Sequence, residues 1–488
     1  MLCRLVRAGV FAALLLFPAS SLLAQLAASV PQLSSRPGAQ YTIYLNVAGF
    51  DYDGLWYDHA TAPGLTLGVN DRTSAETFDA AEVEQIKNIW SRTAQSYIGF
   101  NVNVTTIDPA IAALGPGATD AQRQAYYDAT PNLMHTVVGS QIRNPADYGP
   151  GELTAESKWF DDGADGVSPG IGVVAGVAGG PGQHTNWMFS EAQAGAATAG
   201  VINGDYIGAI SAHENAHSFG LYHQGDWTGS TLVNEYSLGD DAAGPDPGTY
   251  VPIIGQASDR QRVTWRVGDT HPDDVQTVQN DVQLMLSINV AGNGRAGAVN
   301  LHLIDDGIGH SLGAATELPL VGSVIDVTSS SSKGVIVPLS EANPAPIGAS
   351  NYTEDWFSFY TDGGDAISLT VNNSTDFLTA GVADGVGTLR STLMVFDAMG
   401  TMVGMGMEDV STLFVSYSEL LGAGSYFAKV GSFGGHEQDS SAFNAAQYFD
   451  MGAFFLTGSG FDVAAVPEPG TLVLLAVGGL ALVRRRRS

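Results

Sequence analysis

The sequence predicts two folded parts in series, an α+β domain followed by an all-β sandwich. Three observations carry this. Strand-like alternation and helical periodicity interleave over roughly the first 300 residues, and from about Leu301 only short alternating runs remain, separated by glycine, aspartate and serine. The chain has 488 residues, enough for two or three domains, with 44% hydrophobic residues and 60 glycines, which suits a glycine-rich, β-heavy protein.

The first expected strand is Tyr41–Asn46. A helix follows, with Asp79 as N-cap and Glu82 three residues on as a capping box. Its apolar positions Val83, Ile86, Trp90, Ala94 and Tyr97 recur at helical spacing and mark a buried face. Strands are expected at Asn101–Thr106 and Leu133–Val138, with a glycine-rich strand at Ile171–Val177. A helix starting at Asp205 or its neighbour runs through Phe219, and its small residues Ala209, Ala212 and Ala216 let it press close to a sheet. After His223 the chain reads as loop through Pro252, and Asp273–Leu286 as a closing helix with Val275, Val278, Val282 and Met285 inward. The expected sandwich strands are Asp355–Tyr360, Ala366–Val371, Thr392–Phe396, Ser425–Val430 and Gly452–Leu456.

Residues 213–223 read H-E-x-x-H-x-x-G-x-x-H. Positions i and i+4 share a helix face, so His213 and His217 can offer two imidazoles to one metal ion. Glu214 stands beside them where a general base is wanted. Gly220 can take the left-handed conformation that ends the helix, and the turned chain returns His223 as a third nitrogen. Three ligands with an open fourth position describe a catalytic zinc.

At these residues the chain resembles the metzincin clan of zinc metallopeptidases. The resemblance implies His213, His217 and His223 as Zn2+ ligands, Glu214 as general base, and a substrate cleft lined by an edge strand of the sheet. No motif marks which strand that is. Some relatives use an aspartate as third ligand, but His223 has the expected spacing, so Asp226 is read as a carboxylate outside the ligand set. Tyr250–Gly255 resembles the Pro-Ile-Met-Gly turn of secreted bacterial relatives, with Ile254 in the methionine position and no tyrosine just after it. Isoleucine keeps an apolar floor but loses the soft thioether. Met285, the next methionine, sits in a helical-looking run and is a poor substitute.

The runs Asp305-Asp306-Gly307, Ala314–Leu318, Glu354–Phe359 and Gly424–Phe427 resemble, in order, the bacterial pre-peptidase C-terminal domain, which implies a binding or secretion role. Its clustered aspartates could hold Ca2+, though a solvated acidic loop is the favoured reading.

The two ends read as address labels. Arg4 and Arg7 precede the apolar run Val10–Phe17 and small residues, the pattern of a signal peptide over 1–24. The only cysteine, Cys3, lies inside it, so disulfides cannot staple the mature chain. At the other end Val466-Pro467-Glu468-Pro469-Gly470 precedes the apolar run Thr471–Val483 and the basic Arg484–Arg487. That tail resembles the PEP-CTERM sorting signal of Gram-negative bacteria, which implies an exosortase-type enzyme as a partner and a transmembrane segment until processing. A formal charge of −30 leaves no basic stripe to track phosphates and argues against nucleic acid.

The expected organisation is therefore a signal peptide at 1–24, a metzincin-like zinc peptidase domain at 41–297, a pre-peptidase C-terminal-like β-sandwich at 301–458 and a sorting tail at 466–488. The expected function is a secreted or surface-sorted zinc endopeptidase acting on protein or peptide substrates. The alternative is a catalytically weak or inactive surface-binding protein that keeps a zinc site.

Overall fold

In the computed structural model, residues 29–54, 57–63, 77–139, 160, 164–171, 184–190, 203–239, 250–256, 262–272, 275–287, 301–372, 387–437 and 446–463 are described. The expected signal peptide, all but the first residue of the strand expected at Ile171–Val177, and the sorting tail lie outside them. The chain forms two compact units, Met1–Ser34 with Thr42–Trp90 and Val104–Ser218, and Ser35–Tyr41 with Ser91–Asn103 and Phe219–Ser488.

The first unit is built on strands β1 (Tyr41–Asn46), β2 (Gly49–Gly54), β3 (Tyr57–Pro63), β4 (Val102–Thr105), β5 (Leu133–Gly139), β6 (Gly166–Val167) and β7 (Thr185–Phe189). Its five-stranded sheet runs β4-β1-β5-β7-β6, with β1, β5 and β7 parallel and the edge strand β6 antiparallel to β7. The hairpin β2–β3, like the strands β6 and β7, carries no clear alternation in the sequence. The inner strands are buried on both faces, so they lack the period of two that marks a half-exposed strand.

Helix α1 (Ala80–Tyr97) starts at the expected box: Glu82 accepts from the Asp79 amide and Asp79 from the Glu82 amide, both at 2.9 Å. Short helices α2 (Pro109–Leu114) and α3 (Asp120–Ala129) open on an Asp108 cap and a Thr119–Gln122 capping box. Tyr44, Phe50, Tyr127, Leu133, Val137 and Trp187 make one apolar cluster. Helix α4 (Gly204–Ser218) is buried on nearly every side and lies on this sheet. Two buried polar pegs fix it there, from Asn215 Nδ2 to Thr136 Oγ1 on β5 at 3.0 Å and from Asn186 Nδ2 on β7 to Ser218 Oγ at 3.4 Å.

In the second unit, the stretch expected as loop after His223 forms the hairpin β8 (Asp226–Thr228) and β9 (Thr231–Asn234). Strand β10 (Tyr250–Pro252) then pairs parallel with β11 (Arg262–Thr264), and β12 (Arg266–Thr270) antiparallel with β13 (Thr277–Asn280). The expected closing helix is therefore shorter: α5 covers Asp281–Leu286, capped by Asn280. Val282 and Met285 are buried as expected, whereas Val275 and Val278 precede the helix and face solvent.

The five sandwich strands expected from sequence are all present within a five-stranded and a seven-stranded sheet, four of them longer by two or three residues and the one expected at Ala366–Val371 shifted to Ile367–Asn372. Their inner faces meet through aromatic pairs such as Phe357–Phe454, whose ring centroids are 6.2 Å apart. Strand pairing crosses the expected boundary near residue 300, because β12 also pairs with Gln447–Tyr448.

Candidate metal centre

Helix geometry sets two of the three expected ligands. The α4 backbone brings the His213 and His217 rings to 4.8 Å, edge to face. His213, Glu214 and His217 are all buried, with 6–7% of their surface exposed. Gly220 adopts φ +102°, the positive backbone angle expected of it, and the chain turns there. His223 follows Gly220 by three residues, at the spacing the motif requires.

This donor set suits zinc, which imidazole nitrogens hold at about 2.0–2.1 Å in three-ligand catalytic sites. Glu214 sits against the edge strand. A Cβ added to Gly166 on β6 would lie 3.1 Å from Glu214 Oε1 and 2.7 Å from Ile210 Cγ2. Nothing but backbone therefore separates the edge strand from the expected base. Asp165, next to Gly166, accepts from the Tyr206 hydroxyl at 2.5 Å, which ties β6 to α4.

His223 lies on a loop, so something other than helix geometry must hold it. Gln279 clamps the peptide before it, accepting from the Tyr222 amide and donating to the Tyr222 carbonyl, each at 3.0 Å. The residue after it, Gln224, is completely buried and donates from Nε2 to Asp281 Oδ1 at 2.7 Å while accepting from Arg266 Nε. Asp281 also accepts from the Arg266 amide at 3.0 Å and from Gln279 Nε2 at 2.9 Å. Burial pushes the Asp281 carboxyl up to about 7 against the pull of these donors and of the Arg266 guanidinium. Sequence reasoning missed this network, whose members are dispersed from residue 224 to residue 281.

Ile254 is fully buried, and its carbonyl accepts from the Gln224 amide at 3.0 Å, so the turn at 250–255 does lie against the loop of His223. A tyrosine does reach His223, from the segment just after the hairpin and not from that turn: the Tyr236 ring packs 4.3 Å from the His223 ring. Asp226 stays outside the ligand set, accepting from Asn234 Nδ2 at 3.1 Å and from the Leu238 amide at 3.2 Å.

A second cluster lies in the sandwich. Asp305, Asp306 and His310 offer ligand atoms within 4.8 Å of one another. Beside them Asp355 is completely buried, and neither of its oxygens has a hydrogen-bond partner among the described residues. The closest basic atom is His310 Nδ1, 3.4 Å from Asp355 Oδ1, and it also faces the Glu354 carbonyl at 3.1 Å. Burial, with Asp306 and Asp305 adding their charge, pushes the Asp355 carboxyl up to about 9. An orphaned buried carboxyl aimed into an acidic cluster fits a hard divalent cation such as Ca2+.

No curated protein matches the chain. The pre-peptidase C-terminal domain of a collagenase from Bacillus anthracis matches 29% of this chain and 92% of its own length, at 13% identity and a TM-score of 0.16. A likeness that low carries no weight for fold or function. No helix among the described residues is long and apolar enough to cross a membrane. Residues 465–487 match the PEP-CTERM protein-sorting motif. The chain thus carries a PEP-CTERM signal, the mark of an exported, surface-sorted protein of Gram-negative bacteria recognised by an exosortase-type enzyme.

Proposed function

We propose that the protein is a surface-sorted zinc-dependent endopeptidase. The observation that carries this reading is the His213–His217 pair on one helix face with Glu214 held against β6, an edge strand among the described residues. His213, His217 and His223 would hold the zinc, which when bound polarises a scissile carbonyl and acidifies an attacking water. Glu214 takes that water's proton and passes it to the leaving amine. Strand β6 offers its backbone edge to an extended substrate, and Gly166 lets that strand run close beside the base. The buried surroundings of the two helix histidines keep bulk water from competing for the proton. Calcium at Asp305, Asp306 and Asp355 is a structural ion of the sandwich in this reading.

The decisive experiment compares wild type with Glu214→Gln. The variant keeps the tightly bound zinc of the three-histidine site and loses casein hydrolysis by at least about 10²-fold, on the order expected for a lost general base. Equal turnover by both proteins refutes the mechanism. No turnover by either, with zinc retained, favours the alternative of a surface-binding protein whose site has lost activity, and the apolar Ile254 under the loop is where that loss would originate. Intact-mass analysis of the exported form should show a chain ending near Thr471. A membrane-held chain running to Ser488 in an exosortase-bearing host would make the tail a permanent anchor.

A further inference from the structure

His223 belongs to a second group of metal-ligating side chains. His223, Glu235 and His271 each place a ligand atom within 4.8 Å of the other two, and all three lie in the second unit. The His223 Nδ1 atom is 3.4 Å from Glu235 Oε1. The His271 ring stands 6.4 Å from that of His223, and its Nε2 is buried without a hydrogen-bond partner among the described residues.

The three are brought together by backbone register, not by chance side-chain reach. The Gln224 carbonyl accepts from the Ser237 amide at 2.7 Å, and the Gly225 amide donates to the Asp269 carbonyl at 3.1 Å. Gln224 also bridges Thr270. Those bonds align three chain segments, with His223 next to Gln224, His271 next to Thr270 and Glu235 two residues before Ser237. Tyr236 packs on His223, and the Trp227 ring lies 6.4 Å from that of His271, so both imidazoles are walled by aromatic rings. Glu235 is more than half exposed, which leaves the group open to solvent.

We propose that His223, Glu235 and His271 form a second, weaker site for a divalent transition metal, next to the zinc site of the proposed peptidase. Two imidazoles and one carboxylate select zinc, cobalt or nickel over calcium or magnesium. The inference rests on the peptidase reading only in that His223 is shared. Its Nδ1 serves the second ion and its other ring nitrogen the first. One imidazole divided between two cations that repel each other holds the second less tightly, so this site is the weaker.

The test is a cobalt titration of the full mature chain in saturating calcium, followed by visible absorption and metal analysis. Wild type takes up two equivalents, the second more weakly. His271→Ala and Glu235→Gln take up one. The double variant His213→Ala/His217→Ala, which leaves the second group intact, also takes up one and loses it when His271→Ala is added. Wild type saturating at one equivalent overturns the proposal, as does a second equivalent that survives His271→Ala. If Glu235 merely orients His223 through a hydrogen bond, Glu235→Gln weakens the first equivalent and no second exists, which also overturns it. A first equivalent that is indifferent to His213→Ala/His217→Ala instead sinks the peptidase reading and leaves this site standing.

Discussion

In the proposed reading the histidine cluster and the aspartate cluster solve the same problem, gathering ligands for a cation, in opposite ways. The histidine set comes from eleven consecutive residues, and helix pitch alone places two of its members. The aspartate set joins Asp305 and Asp306 to Asp355, fifty residues later on a central sandwich strand. The first needs polar pegs to seat one helix. The second holds a completely buried carboxyl that no donor satisfies among the described residues. A neutral imidazole can wait for a metal at little cost, whereas a buried carboxylate must bind a cation or take up a proton.

A crossed metal analysis tests whether the two clusters bind independently. His217→Ala should abolish the tighter zinc equivalent and leave calcium uptake intact, and Asp355→Asn should leave that zinc in place and abolish calcium uptake. Loss of both metals from either variant would show that the clusters are not independent.

Next in size is the network behind His223. Asp281→Ala leaves Gln224, Gln279 and the Arg266 amide without their shared acceptor and should cost about 3–5 kcal/mol in chemical denaturation. A loss under 1 kcal/mol would mean that the loop is held by other contacts.

The aspartate cluster predicts a pH signature. Asp355 has a folded value of about 9 against 3.8 for the free carboxyl, so between those values the folded state binds the extra proton. Stability without calcium therefore falls as pH rises from about 4 to about 9, and above that the full penalty applies. Asp281, raised to about 7, tilts the profile the same way over the lower part of that range. Calcium replaces the proton, so it should raise the melting temperature of the mature chain more at pH 8 than at pH 5, and Asp355→Asn should erase that difference. A calcium effect independent of pH would remove Asp355 from the site.

The smallest expected effect is Ile254→Met. The swap roughly conserves volume in a buried position and should change stability by less than about 1.5 kcal/mol. A rise in peptidase activity would trace low turnover to the floor of the site, and a large destabilisation would show that the β-branched shape is needed there.

Features with a local cause are legible in the amino-acid order alone. The capping box of α1, the span of α4, the positive φ of Gly220 and the pairing of His213 with His217 all follow from residues within one or two helical turns. The sandwich strands were legible because one face of each is wet and the period of two shows, as in Glu354–Thr361. The hairpin at Asp226–Asn234 was not, because bulged, short strands carry little periodicity. The expected helix over Asp273–Leu286 failed in its first half because Val275 and Val278 mimic helical spacing while Thr277–Asn280 is drawn into a strand by β12. Long-range packing is what brings Gly166 against Glu214, sets Gln224, Arg266 and Asp281 behind the loop of His223, and buries Asp355 beside Asp306. Those contacts join residues tens of positions apart, where no local propensity acts and packing and hydrogen-bond satisfaction choose the partner.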